Sequence, residues 1–109
     1  MRQTEIIGAP DQLYAELWVS LASLLRSYTA AHGLSGGREA IVEADENRIT
    51  VHASNKWLHL DRDGPLIRWR REDGRNCIRE LTDGGKIKSS ENWQEMDMAA
   101  EEWARELMH

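Results

Sequence analysis

The middle of the chain contains short segments of alternating apolar and polar residues, separated by two to four turn-forming residues. This period of two is typical of β-strands with one buried face. Connections this short join antiparallel neighbours, because a parallel pair needs a crossover of about a dozen residues. The predicted strands are 39–44, 48–53, 56–61, 66–71, 75–81 and 86–89. The sequence therefore predicts an antiparallel meander of five or six strands.

Helical patterns flank this meander on both sides. Before it, apolar residues three or four apart are Leu13, Leu17, Leu21, Leu24 and Tyr28. After it, the same spacing links Trp93, Met96, Ala100, Trp103 and Leu107. Pro10 suits the first turn of the first helix, Gly33 its end, and Ser90 the cap of the second. Each helix must bury its stripe, so we expect both on one face of the sheet, giving an α+β fold.

The length and composition indicate one ordinary domain. We expect it to span residues 1–109, with 1–10 as a loosely ordered arm. The single cysteine, Cys77, excludes an intrachain disulfide and fits a reducing compartment. The sequence shows no apolar run typical of a signal peptide or a membrane span. These features predict a cytoplasmic protein without a membrane partner.

The charges are unevenly distributed along the chain. Residues 1–47 carry three basic and seven acidic side chains, residues 48–88 ten and six, and residues 89–109 one and six. The segments therefore have net charges of −4, +4 and −5. One interpretation is a basic sheet surface backed by acidic helices. The alternative is that the helices simply present glutamates to solvent and the strands are rich in arginine.

Turn lengths determine which residues of the meander face the core. Strands 48–53 and 56–61 are joined by a two-residue turn, so their aliphatic side chains share one face. A four-residue loop at 62–65 keeps the apolar residues of strand 66–71 on that face. A three-residue loop would instead turn the arginines of that strand into the core without partners, which is far too unfavourable.

The next connection is predicted to be a two-residue turn before strand 75–81. It pairs Trp69 with Ile78 on the core face. It also pairs Arg68 with Arg79 on the opposite, outer face. Cys77 then also points outward. A glutamate near the end of this strand would face the core, which predicts a bulge or a strand end there.

This register predicts a basic outer face with one tryptophan. Its candidate binding residues are Arg48, His52, Trp57, His59, Arg68, Arg70 and Arg79. Trp57 would lie beside Arg70 as a cation–π pair. Such a face suits an acidic protein or single-stranded nucleic acid. The lone aromatic ring and the net charge of −5 favour the protein, and self-association of two sheet faces is a further alternative.

Other chemistry finds little support in the sequence. His52 and His59 are close enough to share a metal ion, but the neighbouring arginines repel cations, so we predict no metal site. No histidine and carboxylate are placed to activate Cys77. We therefore predict no catalytic residues, no cofactor and a non-enzymatic binding module.

The order helix, meander, helix resembles frataxin, a small iron-associated protein of iron–sulfur cluster assembly. The runs "AELWVSL" (15–21) and "RITVHASNKWLHLDRDGPLIRW" (48–69) resemble its first helix and its consecutive strands. The resemblance implies an iron-binding accessory protein as an alternative function. It implies that part of an acidic ridge comes from Glu39, Glu43, Asp45 and Glu46. It also implies an outward Trp69, which our register places on the core face.

Overall fold

The computed structural model describes the backbone of residues 2–89 and 92–109 and the side chains of residues 11–34, 37–89 and 92–109. Helix α1 (Arg2–Gly36) precedes the sheet and helix α2 (Met96–Met108) follows it. The strands are β1 (Ile41–Ala44), β2 (Arg48–Ala53), β3 (Lys56–Asp63), β4 (Leu66–Arg71), β5 (Asn76–Leu81), β6 (Lys86–Lys88) and β7 (Trp93–Glu95). They form one antiparallel sheet in chain order. The predicted α+β fold is confirmed, with seven strands instead of five or six.

One apolar core lies between the two helices and one face of the sheet. The helices contribute Trp18, Leu21, Leu25, Ala100, Trp103 and Leu107, and the sheet contributes Ile49, Val51, Leu58, Leu60, Ile67 and Leu81. Full burial of one such leucine or isoleucine side chain contributes about 1.5–3 kcal/mol. The apolar stripes of both helices are thus buried on the same side of the sheet, and the other side of the sheet is open to solvent. No described helix is both long and apolar enough to cross a membrane.

Helix α1 extends beyond the predicted bounds at both ends. It begins at Arg2, so the helix start predicted at Pro10 was wrong, while the loose order predicted for residues 1–10 stays a prediction. Its end was predicted at Gly33, but the helix continues to Gly36. Gly37 then takes a positive φ of 66°, and the Arg38 N–H donates to the Gly33 carbonyl at 3.0 Å. This is a Schellman-type ending placed one turn later than predicted.

The predicted faces of β2, β3 and β4 are confirmed, although the predicted register between β3 and β4 was wrong by two residues. β2 and β3 pair as predicted, with Val51 opposite Leu58. β3 extends to Asp63, so a two-residue turn replaces the predicted four-residue loop and Leu60 faces Trp69. A shift of two residues leaves every side chain on its predicted face, because successive side chains alternate.

The connection between β4 and β5 was predicted wrongly, and the error changes the outer face. The loop contains three residues, closed by a hydrogen bond from the Arg71 N–H to the Arg75 carbonyl at 2.9 Å. One extra residue moves every side chain of β5 to the opposite face. Arg79 therefore lies on the helix side opposite Ile67, and Ile78 lies outside opposite Arg68.

This register also removes the predicted bulge near residues 79–81. Glu80 faces outward opposite Leu66, where a carboxylate meets solvent. The loop can hold three residues because Gly74 adopts a positive φ of 91°, the conformation that ends a three-residue hairpin loop. The predicted pairs of Trp69 with Ile78 and of Arg68 with Arg79 were therefore wrong.

The second helix begins later than predicted. Trp93 starts β7 and is 58% exposed, so its predicted place in the apolar stripe of the helix was wrong. Helix α2 starts at Met96, directly after Glu95. The predicted cap, Ser90, lies outside the described residues. The stripe from Met96 onward is confirmed, and Trp93 fits its spacing only because β7 leads directly into the helix.

Candidate binding face of the sheet

The outer face of the sheet is built from rows of residues that face each other across neighbouring strands. One row runs Arg48, Asp61, Arg68 and Ile78, and the next runs Thr50, His59, Arg70 and Asn76. A third row places His52 beside Trp57. The predicted binding residues therefore lie together in the centre of the face, with the exception of Arg79.

Three arginines lie around the carboxylate of Asp61 in the middle of this face, and we call Arg48, Arg68 and Arg70 the arginine cluster. The Arg48 Nε donates to Asp61 at 2.7 Å, and the Arg70 guanidinium lies 3.6 Å from the other oxygen of Asp61. The hydrogen bond to Asp61 is also the main cause that raises the pKa of Arg48. Arg68 forms no ion pair with any residue that the structure describes. The cluster therefore carries two positive charges in excess.

Three rings pack together beside the arginine cluster. The centroids of Trp57 and His59 are 4.4 Å apart, and those of His52 and His59 are 5.4 Å apart. Arg70 lies opposite His59. The predicted pairing of Trp57 with Arg70 was therefore wrong, because the register shift puts a histidine opposite the arginine.

His59 is held in its uncharged form. Its Nε2 is buried and has no hydrogen-bond partner among the described residues. Burial lowers the pKa of His59, and the neighbouring charges of Arg70, His52 and Arg48 lower it further. The ring therefore supports the indole of Trp57 as a neutral platform and adds no positive charge to the face near neutral pH.

An apolar patch formed by Leu66 and Ile78 adjoins the arginine cluster. These side chains are 39% and 53% exposed. They line a shallow depression of about 320 Å³, together with Glu80 and Lys88. Sequence reasoning missed Ile78 because the two-residue turn placed it in the core. The same turn also pointed Glu80 into the core, and this unfavourable position indicated the error. A shift of one residue moves both Ile78 and Glu80 to the outer face.

Arg79 lies on the opposite side of the sheet and belongs to a different group. Its guanidinium carbon lies 5.7 Å from the centroid of the Trp69 ring. Its Nη1 donates to the Cys77 sulfur at 2.7 Å. Cys77 faces Trp69 on the helix side, so its predicted outward position was wrong. Trp69 is partly buried against the core, as the sequence predicted. Its ring lies 6.5 Å from that of Trp103.

The acidic residues suggested by the resemblance to frataxin are exposed around β1. The Asp45 carboxylate already accepts hydrogen bonds from the backbone N–H groups of Asn47 and Arg48. Within the described residues, no group of three or more histidine, cysteine or acidic side chains is arranged to hold a metal ion.

Comparison with protein families, curated proteins and solved structures found no match for this chain. The candidate binding face is therefore supported by its geometry.

Proposed function

We propose that this protein is a small, cytoplasmic, non-enzymatic binding module whose outer sheet face docks an acidic protein segment. The observation that supports this proposal most strongly is the excess of guanidinium groups over carboxylates in the arginine cluster. Arg48 is paired with Asp61 at 2.7 Å and Arg70 lies 3.6 Å from it, so Arg68 and Arg70 are the arginines left to donate hydrogen bonds to the carboxylates of a partner. Guanidinium groups suit this role because their planar donors match a carboxylate and they lose little on partial burial.

The apolar patch specifies a second property of the partner. Ile78 lies directly opposite Arg68 in the sheet, so an apolar contact and a charged contact are within reach of one short segment. Burial of an aliphatic side chain there would exclude water from the neighbouring ion pair and strengthen it. The partner segment should therefore direct both acidic and aliphatic side chains at this face, two residues apart if the segment is extended.

A protein suits this face better than a nucleic acid. Bases bind open sheets by stacking on exposed aromatic rings. Trp57 is half-buried, and its ring packs against His59, while the residues of the apolar patch are aliphatic. The net charge of −5 also repels a polyanion at long range.

A titration followed by amide NMR tests the proposal. The probe is a synthetic peptide with glutamate and leucine two residues apart, and the comparison probes are a lysine–leucine peptide of the same spacing and an oligothymidine. We expect the acidic peptide to shift the amide signals of Arg68, Arg70 and Ile78. The double variant Arg68→Gln/Arg70→Gln should bind it about tenfold more weakly, equivalent to about 1.4 kcal/mol.

A matched charge change on the helix side provides the control. Arg26 and Arg38 are both exposed, and neither is on the outer face. The variant Arg26→Gln/Arg38→Gln should bind the acidic peptide like the unmodified protein. Equal weakening by both double variants would show only a general charge effect and would reject the proposal, as would binding of the oligothymidine alone.

Two alternatives stay predictions. Self-association through the outer face would appear as a concentration-dependent mass in sedimentation, and the double variant at Arg68 and Arg70 would alter it. A frataxin-like iron-binding role would appear as heat on anaerobic titration with ferrous iron, and removal of the carboxylates around β1 would abolish that heat. Neither outcome requires the acidic peptide to bind.

A further inference from the structure

The carboxyl ends of the two helices meet away from the outer face and bring two histidines together. His32 lies in the last two turns of α1, and His109 directly follows α2. The Nδ1 of His32 and the Nε2 of His109 are 3.2 Å apart, and the two rings are nearly perpendicular at 84°. The backbone N–H of His109 donates to the Arg105 carbonyl at 3.1 Å, which holds the second ring near the helix end.

We propose that His32 and His109 bind a divalent transition-metal ion of the zinc type. Two imidazole nitrogens bound to one tetrahedral zinc ion at about 2.0–2.1 Å each are about 3.3–3.4 Å apart. The observed separation of 3.2 Å is therefore close to that of two ligands of one ion. In the metal-free protein a proton on one nitrogen bridges the pair, and the metal ion replaces that proton.

Glu101 orients the first ligand. Its carboxylate lies 2.8 Å from the Nε2 of His32 and accepts the ring N–H there. The proton on Nε2 leaves the lone pair of Nδ1 directed at His109. A carboxylate behind a histidine is a common outer partner of metal-binding imidazoles. The Arg105 guanidinium, 3.3 Å from the other Glu101 oxygen, holds the carboxylate in this position.

The local electrostatics favour a cation at this pair. Both helices end here, and the carboxyl end of a helix carries a partial negative charge. The other histidine pair, His52 and His59, differs in this respect because Arg48 and Arg70 surround it. The buried Nε2 of His59 is also closed to an ion. Among the histidines that the structure describes, only His32 and His109 combine an exposed pair of ring nitrogens with a negative field from the helix ends.

The expected site has two protein ligands, with water or a further ligand in the remaining positions. Within the described residues no third side chain completes a set of three. Such a site binds more weakly than a closed site of four ligands, and it can accept a donor from a bound partner. Imidazole ligands suit Zn²⁺, Ni²⁺ and Cu²⁺ better than Mg²⁺ or Ca²⁺.

Calorimetric titration of the tag-free protein with zinc chloride tests the site. We expect binding of one ion, a higher melting temperature with zinc, and no comparable binding of magnesium chloride. His32→Gln and His109→Gln should each abolish this binding. Glu101→Gln should weaken it by about tenfold and alter the proton position on the His32 ring, seen in the nitrogen NMR spectrum.

The second histidine pair gives the matched control. The variant His52→Gln/His59→Gln removes two imidazoles from the same protein and should leave zinc binding unchanged. Melting curves without zinc show whether each variant folds, and a folded His109→Gln suffices for the test. Unchanged zinc binding in the folded His109→Gln variant, or loss of binding in the control variant, would overturn the proposal.

Discussion

His59 occupies a position on the outer face where a positive charge is unfavourable. Its ring lies between those of Trp57 and His52, and its Nε2 is enclosed without a partner in the described part of the chain. Burial lowers its pKa first, and the charge of Arg70 adds to the effect. A histidine at this point therefore stabilises the sheet by its ring and opposes protonation.

We predict that His59 makes the protein less stable as the pH falls. The pKa is lower in the folded protein than the value near 6.5 of the unfolded chain, so the unfolded chain binds the proton first. The free energy of unfolding should therefore be unaffected by His59 above this value and should decrease as the pH falls from about 6.5 through the folded pKa. Urea unfolding between about pH 5 and pH 8 measures this dependence.

His59→Phe is the matched variant for this measurement. It keeps an aromatic ring against Trp57 and removes the buried nitrogen, which has no hydrogen-bond partner among the described residues. We expect a gain of up to about 1 kcal/mol at neutral pH and a flatter dependence below about pH 6.5. Above that pH the two proteins should show parallel curves. The same slope in both proteins below it would contradict the prediction.

At the scale of single elements, the end of α1 is determined by close contact between backbone atoms. The Gly33 carbonyl accepts a hydrogen bond from the Arg38 N–H, and the chain turns back over the helix at Gly37. A Cβ atom at Gly33 would lie 2.3 Å from the Arg38 carbonyl oxygen and 3.1 Å from the Met108 methyl group. The helix end and the end of α2 are therefore packed against each other through a position that only glycine fits.

Gly33→Ala should destabilise the protein, although alanine is the better helix former by about 1 kcal/mol. The added methyl group must displace the Arg38 backbone and break its hydrogen bond, so we expect a loss of about 1–3 kcal/mol. Gly84→Ala is the control, because the nearest atom to its Cβ is 3.9 Å away and its φ is not positive. Its effect should stay within about 0.5 kcal/mol in urea unfolding. A stabilised Gly33→Ala variant would show that the contact is absent.

On the scale of the whole molecule, the buried side chain of Arg71 connects the sheet to helix α2. Arg71 lies on the core face at the end of β4 and donates to Glu106 of α2 at 2.8 Å and to Glu72 at 3.2 Å. Its side chain is only 3% exposed. Burial acts to raise the pKa of Glu72. Hydrogen bonds from the backbone N–H of Trp57 and from the Arg71 guanidinium outweigh this effect and lower that pKa. The rim of the core is therefore fixed by ion pairs.

We predict opposite outcomes for two adjacent arginines of β4. Arg71→Ala should lower the free energy of unfolding by about 2–3 kcal/mol, because it removes hydrogen bonds to charged groups and buried packing. Arg70→Ala should change it by less than about 0.5 kcal/mol, because that side chain is 53% exposed and its ion pair is long. Thermal unfolding of both variants measures the difference, and equal losses would place Arg70 in a structural role.

The order of the elements and most residues of the outer sheet face could be predicted from the sequence, because both depend on local patterns. The period of two and the two-residue turn after β2 were sufficient for the pairing of Val51 with Leu58. A shift of two residues between β3 and β4 kept Arg68 and Arg70 outside, because the side-chain period is also two. Six of the seven predicted binding residues were therefore placed on the correct face.

Only the tertiary structure decided the features that depend on one residue of loop length or on distant parts of the chain. Two residues and three residues are both acceptable lengths for the loop before β5, and that choice moved Arg79 inward and Ile78 outward. The contact between His32 and His109 joins residues 77 positions apart. Local patterns specify which side chains need burial, whereas the packing of both helices on one sheet determines which polar groups meet at their ends, since that depends on the whole core.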